Sequence, residues 1–485
     1  MNYNKLALVI LPLTLTACSS IFTAKPTTQM AKPNILLIVS DDQGYADHGK
    51  TLADVNTPNI DKLAQQGVLF KQAYATSPIC NASRMGLMTG QYQQKQGTFW
   101  YGGPGLNDAT IPTMAEVLKD NGYTNGYVGK FHFGKTQLKN HARRDFPLNH
   151  GFDYFYGFEG GRKHYLNHKE SVEAAFLQSK KKHKQAGQSL AQGPMWINRQ
   201  LVDQEGFATE LFGKQAIQFM QQNNDKPFFL KLAFNAVHNF THQIPEHELK
   251  RRGLKGYRDW DPAKEDYRTW YVGSRMPNND EGRAQYLAQL ELLDSEIGKV
   301  INYLDESGLR QNTLVIYISD NGGSTPIYAN NGHLRGSKYT LYEGGIRIPM
   351  IISWPDSIPT GKQRNDIVST LDILPTLCAY ISGCTLDKTD GINIQQALKG
   401  GETLERDYLV WDTNHEVAVR QGDWKLKIAK PSSQRHAKYE MVDIEVGTFL
   451  YNLKSDPSER NDLSQAHPEK LQALQVLYQQ WRSKI

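Results

Sequence analysis

PNILLIVSDD, residues 33–42, is a continuous apolar run that ends in two acidic residues. A run that is apolar at every position is typical of a strand buried on both faces of a parallel sheet. Helical and strand-like segments alternate after it, as in ATELFGKQAIQFMQQN (208–223) and PFFLKLAFN (227–235), and TLVIYISDNG (313–322) contains another buried strand. This alternation predicts an α/β fold with a large, mostly parallel sheet flanked by helices.

The pattern changes after about residue 400, where DYLVW, EVAVR, DWKLKIA and TFLYNL are short strand-like segments at hairpin spacing. A helical segment, HPEKLQALQVLYQQWRSK, follows them. We predict a main domain over residues 31–400 and a smaller antiparallel sheet with one helix over 401–485. The net charge of +5 is mild and the chain has no nucleic-acid-binding motif, so we expect no nucleic acid partner.

The N-terminus has the features of an export signal. Lys5 precedes the apolar run LALVILPLTLTA (6–17), which is too short to span a bilayer, and Cys18 follows it. LTAC (15–18) is similar to the bacterial lipobox, which implies that Cys18 is lipidated, and Ser19 then favours the outer membrane. The alternative is a plain signal peptide cut nearby. Either predicts export, to the periplasm or the outer membrane, with membrane contact only through a lipid anchor on Cys18.

Acidic and amide side chains follow two of the predicted core strands. Asp41 and Asp42 come directly after the first strand, and Asp320 and Asn321 follow the strand at 313–319. Ligands of doubly wound sheets bind at the carboxyl ends of the strands, so these side chains are expected to meet at one edge. Three carboxylates and one amide oxygen favour Ca²⁺ or Mg²⁺ over zinc. Turn formation is the alternative for either pair alone, because Asp and Asn are common in turns.

Cys80 needs an explanation because it is a cysteine without an obvious partner. Cys378 and Cys384 are close enough in sequence to form a disulfide, or they are buried thiols. If a helix begins near residue 81, Arg84 lies one turn from Cys80 on the same face. A helix N-terminus lowers the pKa of a thiol and attracts anions. The structural alternative is a buried cysteine beside a surface arginine.

CNASR, residues 80–84, resembles the C-x-(P/A)-x-R signature of the formylglycine-dependent type I sulfatases of the alkaline phosphatase-like superfamily. Other segments resemble that family in the same order, over roughly residues 32–466: PNILLIVSDDQG, GQY, GYVGKFHFG, SDNGG, GSKYTLYEGGIRIP and LYNLKSDPSERNDL. Ala82 stands where most members have proline. In this respect the chain resembles marine bacterial polysaccharide sulfatases of the carrageenan type.

The resemblance implies that a maturation enzyme oxidises Cys80 to formylglycine. The hydrated aldehyde, a geminal diol, would be the nucleophile, which explains why the cysteine is unpaired. Arg84 would stabilise the diol and its bound anion. The family's divalent cation, Ca²⁺ with Mg²⁺ as the alternative, would be held by four residues of this chain: Asp41, Asp42, Asp320 and Asn321.

The resemblance also implies roles for lysine and histidine residues near the strand ends. Lys130 and Lys338 would bind sulfate, and His132 would assist breakdown of the sulfated enzyme. His238 would protonate the leaving alcohol. The usual Pro-His-x-Pro context is missing around His238, and His242 is the competing residue.

Segments that differ from the shared motifs are expected to select the substrate. Their basic residues would meet a second sulfate or a hydroxyl, although each alone also fits a solvated surface charge: Arg162, His164, His333 and Arg335. Trp100 and Tyr101 would stack on sugar faces or belong to the core. The predicted reaction is hydrolysis of sulfate monoesters on a sulfated polysaccharide or its oligosaccharides, with a carrageenan-type galactan as the leading substrate. The alternatives are a phosphoester or phosphonate monoester hydrolase and a non-catalytic polysaccharide-binding lipoprotein.

Overall fold

The first predicted strand lies at the centre of the main sheet. In the computed structural model it spans Asn34–Ser40, and every residue in it is buried. The strands Thr313–Ser319 and Phe228–Ala233 lie on its two sides, and both run parallel to it. The carboxyl end of this strand therefore lies between the carboxyl ends of two neighbours.

The structure describes residues 1, 32–134, 142–161, 165–167, 195–202, 204–258, 260–261 and 264–485. The predictions for the export signal, Cys18, Arg162 and His164 lie outside the described residues. Lys32–Ile485 forms one compact unit. Among the described residues, no helix combines the length and the apolar character needed to cross a membrane.

The strands have the following bounds: β1 (Asn34–Ser40), β2 (Val68–Tyr74), β3 (Thr124–Phe131), β4 (Tyr154–Glu159), β5 (Leu166–Asn167), β6 (Met195–Ile197), β7 (Gln200–Val202), β8 (Gly206–Phe207), β9 (Phe228–Ala233), β10 (Thr313–Ser319), β11 (Arg347–Ser353), β12 (Lys362–Ser369), β13 (Leu409–Asp412), β14 (Glu416–Gln421), β15 (Trp424–Ala429) and β16 (Gly447–Asn452). The ten-stranded main sheet has the order β12-β2-β11-β10-β1-β9-β3-β4-β6-β7. The strands from β10 to β4 in this order run parallel, whereas β11 is antiparallel to both β10 and β2. The predicted α/β class is confirmed, as a mixed sheet that is parallel at its centre.

The helices have the following bounds: α1 (Pro58–Gln65), α2 (Cys80–Thr89), α3 (Met114–Asp120), α4 (Ala208–Gln222), α5 (Glu246–Arg252), α6 (Tyr267–Gly273), α7 (Gly282–Glu306), α8 (Glu343–Ile346), α9 (Ile373–Tyr380), α10 (Gln395–Leu398), α11 (Pro431–Glu440) and α12 (Pro468–Arg482). They include the helix expected after Cys80.

Two apolar layers cover the two faces of the main sheet. Side chains of β1 alternate between them, with Ile35, Leu37 and Val39 in one layer and Leu36 and Ile38 in the other. Helices α2 and α9 contribute to the first layer, and α1, α4 and α7 contribute to the second. Burial on both faces is the reason why residues 35–39 of β1 are all apolar.

A four-stranded antiparallel sheet, β13-β14-β15-β16, follows residue 400. Helix α12 packs on it, with Leu474 and Trp481 buried beside Val419, Leu426 and Leu450. The smaller antiparallel sheet is confirmed, but the expectation of a single helix is incomplete because α11 lies between β15 and β16. The domain boundaries at residues 31 and 400 stay predictions.

The cysteines that the sequence left open are paired. Cys378 in α9 forms a disulfide with Cys384, with a distance of 5.2 Å between their Cα atoms. Cys80 is a free cysteine and is buried. The unpaired thiol therefore lies inside the protein, at the start of α2.

Candidate active site

Four neighbouring strands, β10, β1, β9 and β3, bring polar residues to one edge of the main sheet. Because the strands are parallel, the residues that follow them lie at the same edge. All of these residues are buried: Asp320 and Asn321 after β10, Asp41 and Asp42 after β1, His238 after β9, and Lys130 and His132 at the end of β3. The structure thus brings together residues that are far apart in the sequence.

Cys80 is the first residue of α2 and contacts this edge. Ile79 before it has an extended backbone, so the helix begins at Cys80 itself. The Sγ atom lies 3.4 Å from Asp41 Oδ1, 3.9 Å from Asp42 Oδ1 and 3.1 Å from Lys338 Nζ. All residues of α2 are buried against the sheet, which fixes the position of its first residue.

The thiol of Cys80 differs from the sequence expectation. Burial, followed by the carboxylate of Asp41, raises its pKa well above the ordinary value of a cysteine. The helix N-terminus therefore does not produce a thiolate here, because desolvation and a negative neighbour outweigh it. A protonated, buried thiol is a poor nucleophile. As an unmodified cysteine, Cys80 is therefore badly suited to nucleophilic catalysis.

Arg84 lies one turn along α2 and is fully buried, so the alternative of a surface arginine is wrong. Its Nε donates to Asp320 Oδ2 at 2.8 Å, and its Nη1 donates to the carbonyl of Lys130 at 3.0 Å. Its Nη2 lies 3.5 Å from Asp41 Oδ2. Burial tends to raise the pKa of Asp320, but Arg84 and the nearby lysines outweigh it and the pKa is lowered.

The predicted metal ligands form a compact set of oxygen donors. Asn321 Nδ2 donates to Asp42 Oδ1 at 2.8 Å, and the backbone N–H of Asp42 donates to Asp320 Oδ1 at 3.3 Å. Asn321 Oδ1 is buried and has no hydrogen-bond partner among the described residues. A buried carbonyl oxygen without a partner, beside carboxylates, fits a hard divalent cation. Burial and Asp320 raise the pKa of Asp41 to about 7.

Two buried lysines contact the carboxylates. Lys130 Nζ forms an ion pair with Asp41 Oδ2, and Lys338 Nζ lies 2.6 Å from Asp42 Oδ1. Burial tends to lower the pKa of Lys338, but Asp42 outweighs it and the pKa is raised well above its usual value. Lys338 is therefore a fixed positive charge beside Cys80, as an anion-binding role requires.

The two predicted histidines lie on either side of the carboxylates. His238 Nε2 is 3.5 Å from Asp42 Oδ2, and possible metal-ligating atoms of Asp41, Asp42, Cys80 and His238 all lie within 4.8 Å of one another. Burial, followed by Lys130 and Arg84, lowers the pKa of His132 well below its usual value. His132 is therefore neutral at physiological pH.

The competing histidine has different surroundings. The ring of His242 packs against Phe240, Tyr257 and Trp270, with centroid distances of 5.9, 5.7 and 5.6 Å. Of the two candidates, His238 is the one that the structure brings to the Cys80 cluster.

Comparison with known proteins identifies this cluster. The sequence model of the family described as "Sulfatase" matches residues 33–383, which is most of the chain. The chain belongs to the sulfatase family. A second family model, "N-sulphoglucosamine sulphohydrolase, C-terminal", matches residues 333–483. The family implies a metal ion and a formylglycine residue, and the buried Asp41–Asp42–Cys80–His238 cluster of this sulfatase fits a metal site.

Relatives along the whole chain support this assignment. The N-acetylgalactosamine-6-O-sulfatase of Bacteroides thetaiotaomicron is 27% identical, with 97% of each chain covered. Human steryl-sulfatase is 25% identical, with 92% of this chain and 87% of the relative covered. This protein is a sulfuric ester hydrolase.

Two solved structures with a similar fold bind or act on different compounds. The structure of Ps i-CgsB in complex with k-i-k-neocarrahexaose has a TM-score of 0.76 and 28% identity, and the match covers 93% of this chain and 92% of that one. The phosphonate monoester hydrolase of Agrobacterium radiobacter has a TM-score of 0.60 and 20% identity over 92% and 96% of the two chains. At that identity the second likeness shows the fold alone.

The residues predicted to select the substrate stay predictions. Arg335 donates to the carbonyl of Glu459 at 2.9 Å and lies 3.1 Å from a carboxylate oxygen of Glu445. His333 packs edge-on against Tyr45, with their ring centroids 6.5 Å apart. Both thus have partners within the protein.

Residues 337–343, here called the Lys338 loop, are held by two glutamates that the sequence did not indicate. Glu416 in β14 accepts the backbone N–H of Leu341 at 2.7 Å. Glu459 accepts the backbone N–H of Glu343 at 2.5 Å. The C-terminal sheet region thereby positions the loop that carries Lys338. Glu459 lies within the motif LYNLKSDPSERNDL, which resembles the family, but the motif alone does not indicate that Glu459 contacts this loop.

Proposed function

We propose that this sulfatase removes sulfate from a sulfated polysaccharide or its oligosaccharides, with a carrageenan-type galactan as the leading substrate. The observation that carries the reaction is the position of Cys80 Sγ, 3.1 Å from Lys338 Nζ and 3.4 Å from Asp41 Oδ1. A buried, unpaired cysteine that contacts both a carboxylate and a lysine fits the formylglycine position of the family. The neocarrahexaose bound to Ps i-CgsB and the Ala82 signature support the substrate.

The side chains around Cys80 have separate tasks in this proposal. Once Cys80 is oxidised by a maturation enzyme, its Cβ carries oxygen in place of Sγ, and the hydrated form supplies the nucleophile. Lys130 and Lys338 hold the sulfate oxygens, and Arg84 stabilises the hydrated residue. His238 delivers a proton to the leaving alcohol.

His132, which lies at the end of β3 beside Lys130, assists breakdown of the sulfated enzyme by accepting a proton. A divalent cation, Ca²⁺ with Mg²⁺ as the alternative, would supply Lewis-acid charge for the sulfate oxygens. Its ligands would be Asp41, Asp42, Asp320 and Asn321.

The proposal includes export of the protein. A lipid on Cys18 would hold it at the outer membrane, and a plain signal peptide cut nearby would release it into the periplasm. The disulfide between Cys378 and Cys384 supports an oxidising compartment, because such bonds are rare in the bacterial cytosol.

The test is anion release from a panel of carrageenans, fucoidan, ulvan and glycosaminoglycans. The protein is produced with a maturation enzyme, and sulfate and phosphate are followed together by ion chromatography. We expect sulfate from carrageenan oligosaccharides, and we expect Cys80→Ala to reduce it to background while its melting temperature stays close to that of the parent. The mass of the Cys80 peptide shows whether formylglycine has formed.

Each other outcome has a distinct meaning. Release of sulfate from another polysaccharide means that the proposed reaction is right and the proposed substrate is wrong. Phosphate without sulfate favours the phosphoester or phosphonate monoester hydrolase. Full sulfate release by Cys80→Ala contradicts the assignment of Cys80 as the nucleophile. No release from a protein whose Cys80 is never converted favours a binding lipoprotein, whereas no release from a protein that carries formylglycine means that the panel lacks the substrate.

A further inference from the structure

Three aromatic side chains, Trp100, Tyr101 and Tyr339, form a group that the proposed reaction does not use. The ring centroids of Trp100 and Tyr101 are 5.6 Å apart, and those of Tyr101 and Tyr339 are 6.1 Å apart. Tyr339 is buried, Trp100 is half-buried, and Tyr101 is 41% exposed. We call these three residues the aromatic wall. It presents a large exposed ring that is supported from behind by two others.

The aromatic wall is attached to the residues that bind and attack the sulfate. Tyr339 directly follows Lys338, whose Nζ lies 5.4 Å from the centroid of the Tyr339 ring. Asn81, directly after Cys80, donates from its side-chain amide to the carbonyl of Trp100 at 3.3 Å. A group that is esterified to a sulfate held by Lys338 therefore lies beside the wall.

The backbone of Tyr339 indicates that the position of its ring matters. Its φ is +79°, a left-handed conformation that bulky side chains rarely adopt. Its N–H donates to the carbonyl of Pro78 at 3.0 Å, which ties this turn to the segment before Cys80. Backbone outliers of this kind are concentrated at ligand sites. The turn directs Lys338 towards Cys80 and the Tyr339 ring towards Trp100.

A cavity of about 620 Å³ is lined in part by residues that directly precede Lys338. Ser337, one residue before Lys338, lines it, and so does Val442, which also packs beside Tyr339. Arg335 and Glu445 line it as well, but their charges are already paired at 3.1 Å. The cavity therefore offers polar groups without an unpaired cation, which suits sugar hydroxyls better than a second sulfate.

We propose that the aromatic wall stacks against a sugar ring of the substrate, and that the cavity receives a neighbouring sugar unit through its hydroxyl groups. Sugar faces carry C–H groups, which pack against aromatic rings whose faces are negative. The ligand is thus a sulfated oligosaccharide of at least two units. This inference rests on the proposed function, because it assigns the saccharide part of the same substrate.

The test measures binding rather than turnover. In a Cys80→Ala background with Ca²⁺ present, calorimetry compares a carrageenan hexasaccharide, a chondroitin sulfate hexasaccharide and inorganic sulfate. We expect Tyr101→Ala to weaken binding of a hexasaccharide by about tenfold, equivalent to about 1.4 kcal/mol, and to leave inorganic sulfate unchanged. Tyr101→Phe keeps the ring and is expected to bind within about twofold of the parent. Because Tyr101 is exposed, its replacement does not endanger folding.

Val476→Ala is the matched control, because Val476 is 42% exposed and lies on α12. Equal hexasaccharide binding by the parent and by Tyr101→Ala overturns the proposal. Failure of the parent to bind either hexasaccharide overturns it as well, because no saccharide site then exists. If the mature protein releases no sulfate but Tyr101→Ala still weakens hexasaccharide binding, the proposed function fails and the aromatic wall stands.

Discussion

Replacing Lys338 by alanine removes a buried positive charge from the most crowded part of the site. Lys338 Nζ lies 2.6 Å from Asp42 Oδ1 and 3.1 Å from Cys80 Sγ, and its side chain is fully buried. At such distances a charge pair has a Coulomb energy of about 6 kcal/mol at an effective dielectric constant of about 20. This interaction energy accelerates the reaction only to the extent that it is stronger in the transition state than in the ground state.

A single positioned donor typically stabilises the transition state by about 3–4 kcal/mol more than the ground state, and its removal lowers the rate by about 10²–10³-fold. We therefore expect Lys338→Ala to lower kcat/KM for sulfate release by about 10²–10³-fold. Lys338→Arg keeps the charge but not the compact ammonium group, and we expect an intermediate loss. The assay is sulfate release over a range of oligosaccharide concentrations.

Lys231 provides a matched control for the loss of a buried lysine. It lies in β9, is as buried as Lys338, and its Nζ lies 5.0 Å and 5.6 Å from the ring centroids of Tyr127 and Phe133. Burial lowers the pKa of Lys231 well below its usual value, whereas the pKa of Lys338 is raised beside Asp42. We expect Lys231→Met to keep kcat/KM within about threefold of the parent.

The peptide mass must show formylglycine in every variant, so that maturation and catalysis are separated. If Lys338→Ala carries formylglycine and keeps kcat/KM within about threefold of the parent, Lys338 does not bind the sulfate in the transition state.

Exhaustive chelation is expected to stop sulfate release and to lower the melting temperature, since Asp41, Asp42 and Asp320 then lack their divalent counter-charge. Recovery with Ca²⁺ or with Mg²⁺ identifies the ion, and an enzyme that is indifferent to chelation has no catalytic metal. Burial, opposed by Lys425, raises the pKa of Glu459 to about 7. The folded chain therefore binds more protons than the unfolded chain between about pH 5 and 7, and stability falls as pH rises through this window. We expect Glu459→Gln to make the melting temperature fall less steeply as the pH rises from 5 to 8. An unchanged pH dependence of the melting temperature contradicts the raised pKa.

Features that depend on neighbouring residues could be predicted from the sequence. The apolar run of β1 and the acidic pair after it indicate a buried strand with Asp41 and Asp42 at its end, because burial on both faces removes polar residues from the run. The helix after Cys80 and the place of Arg84 on it follow from the spacing of four residues. Because β1 and β10 are parallel, their carboxyl ends lie side by side, and Asp320 therefore lies close to Asp41 and Asp42.

Features that depend on distant packing could not be predicted in this way. The direction of the Cys80 pKa shift is set by burial and by Asp41, which is 39 residues away. The sequence of β11 does not indicate that it is antiparallel to its neighbours, because all of its residues are buried, as in the parallel strands. Glu416 and Glu459 contact the Lys338 loop from positions 75 and 116 residues beyond their partners. The left-handed backbone at Tyr339 is imposed by its surroundings, because no glycine signals it.

The charges of the site explain why a cation and a sulfate ester belong together in it. The three carboxylates and the three strong bases of the site sum to zero when all six are charged: Asp41, Asp42 and Asp320 against Arg84, Lys130 and Lys338. Such a site has no net attraction for an anion, since each lysine and the arginine already contacts a carboxylate. A divalent cation held by Asp41, Asp42 and Asp320 would give the site a net charge of about +2 and would weaken the attraction of these carboxylates for the lysines. One sulfate monoester anion and one ionised nucleophile return it to zero. On the proposed function, Lys130 and Lys338 would become available to sulfate when the carboxylates hold a cation, so that binding of the cation and binding of the substrate would be linked.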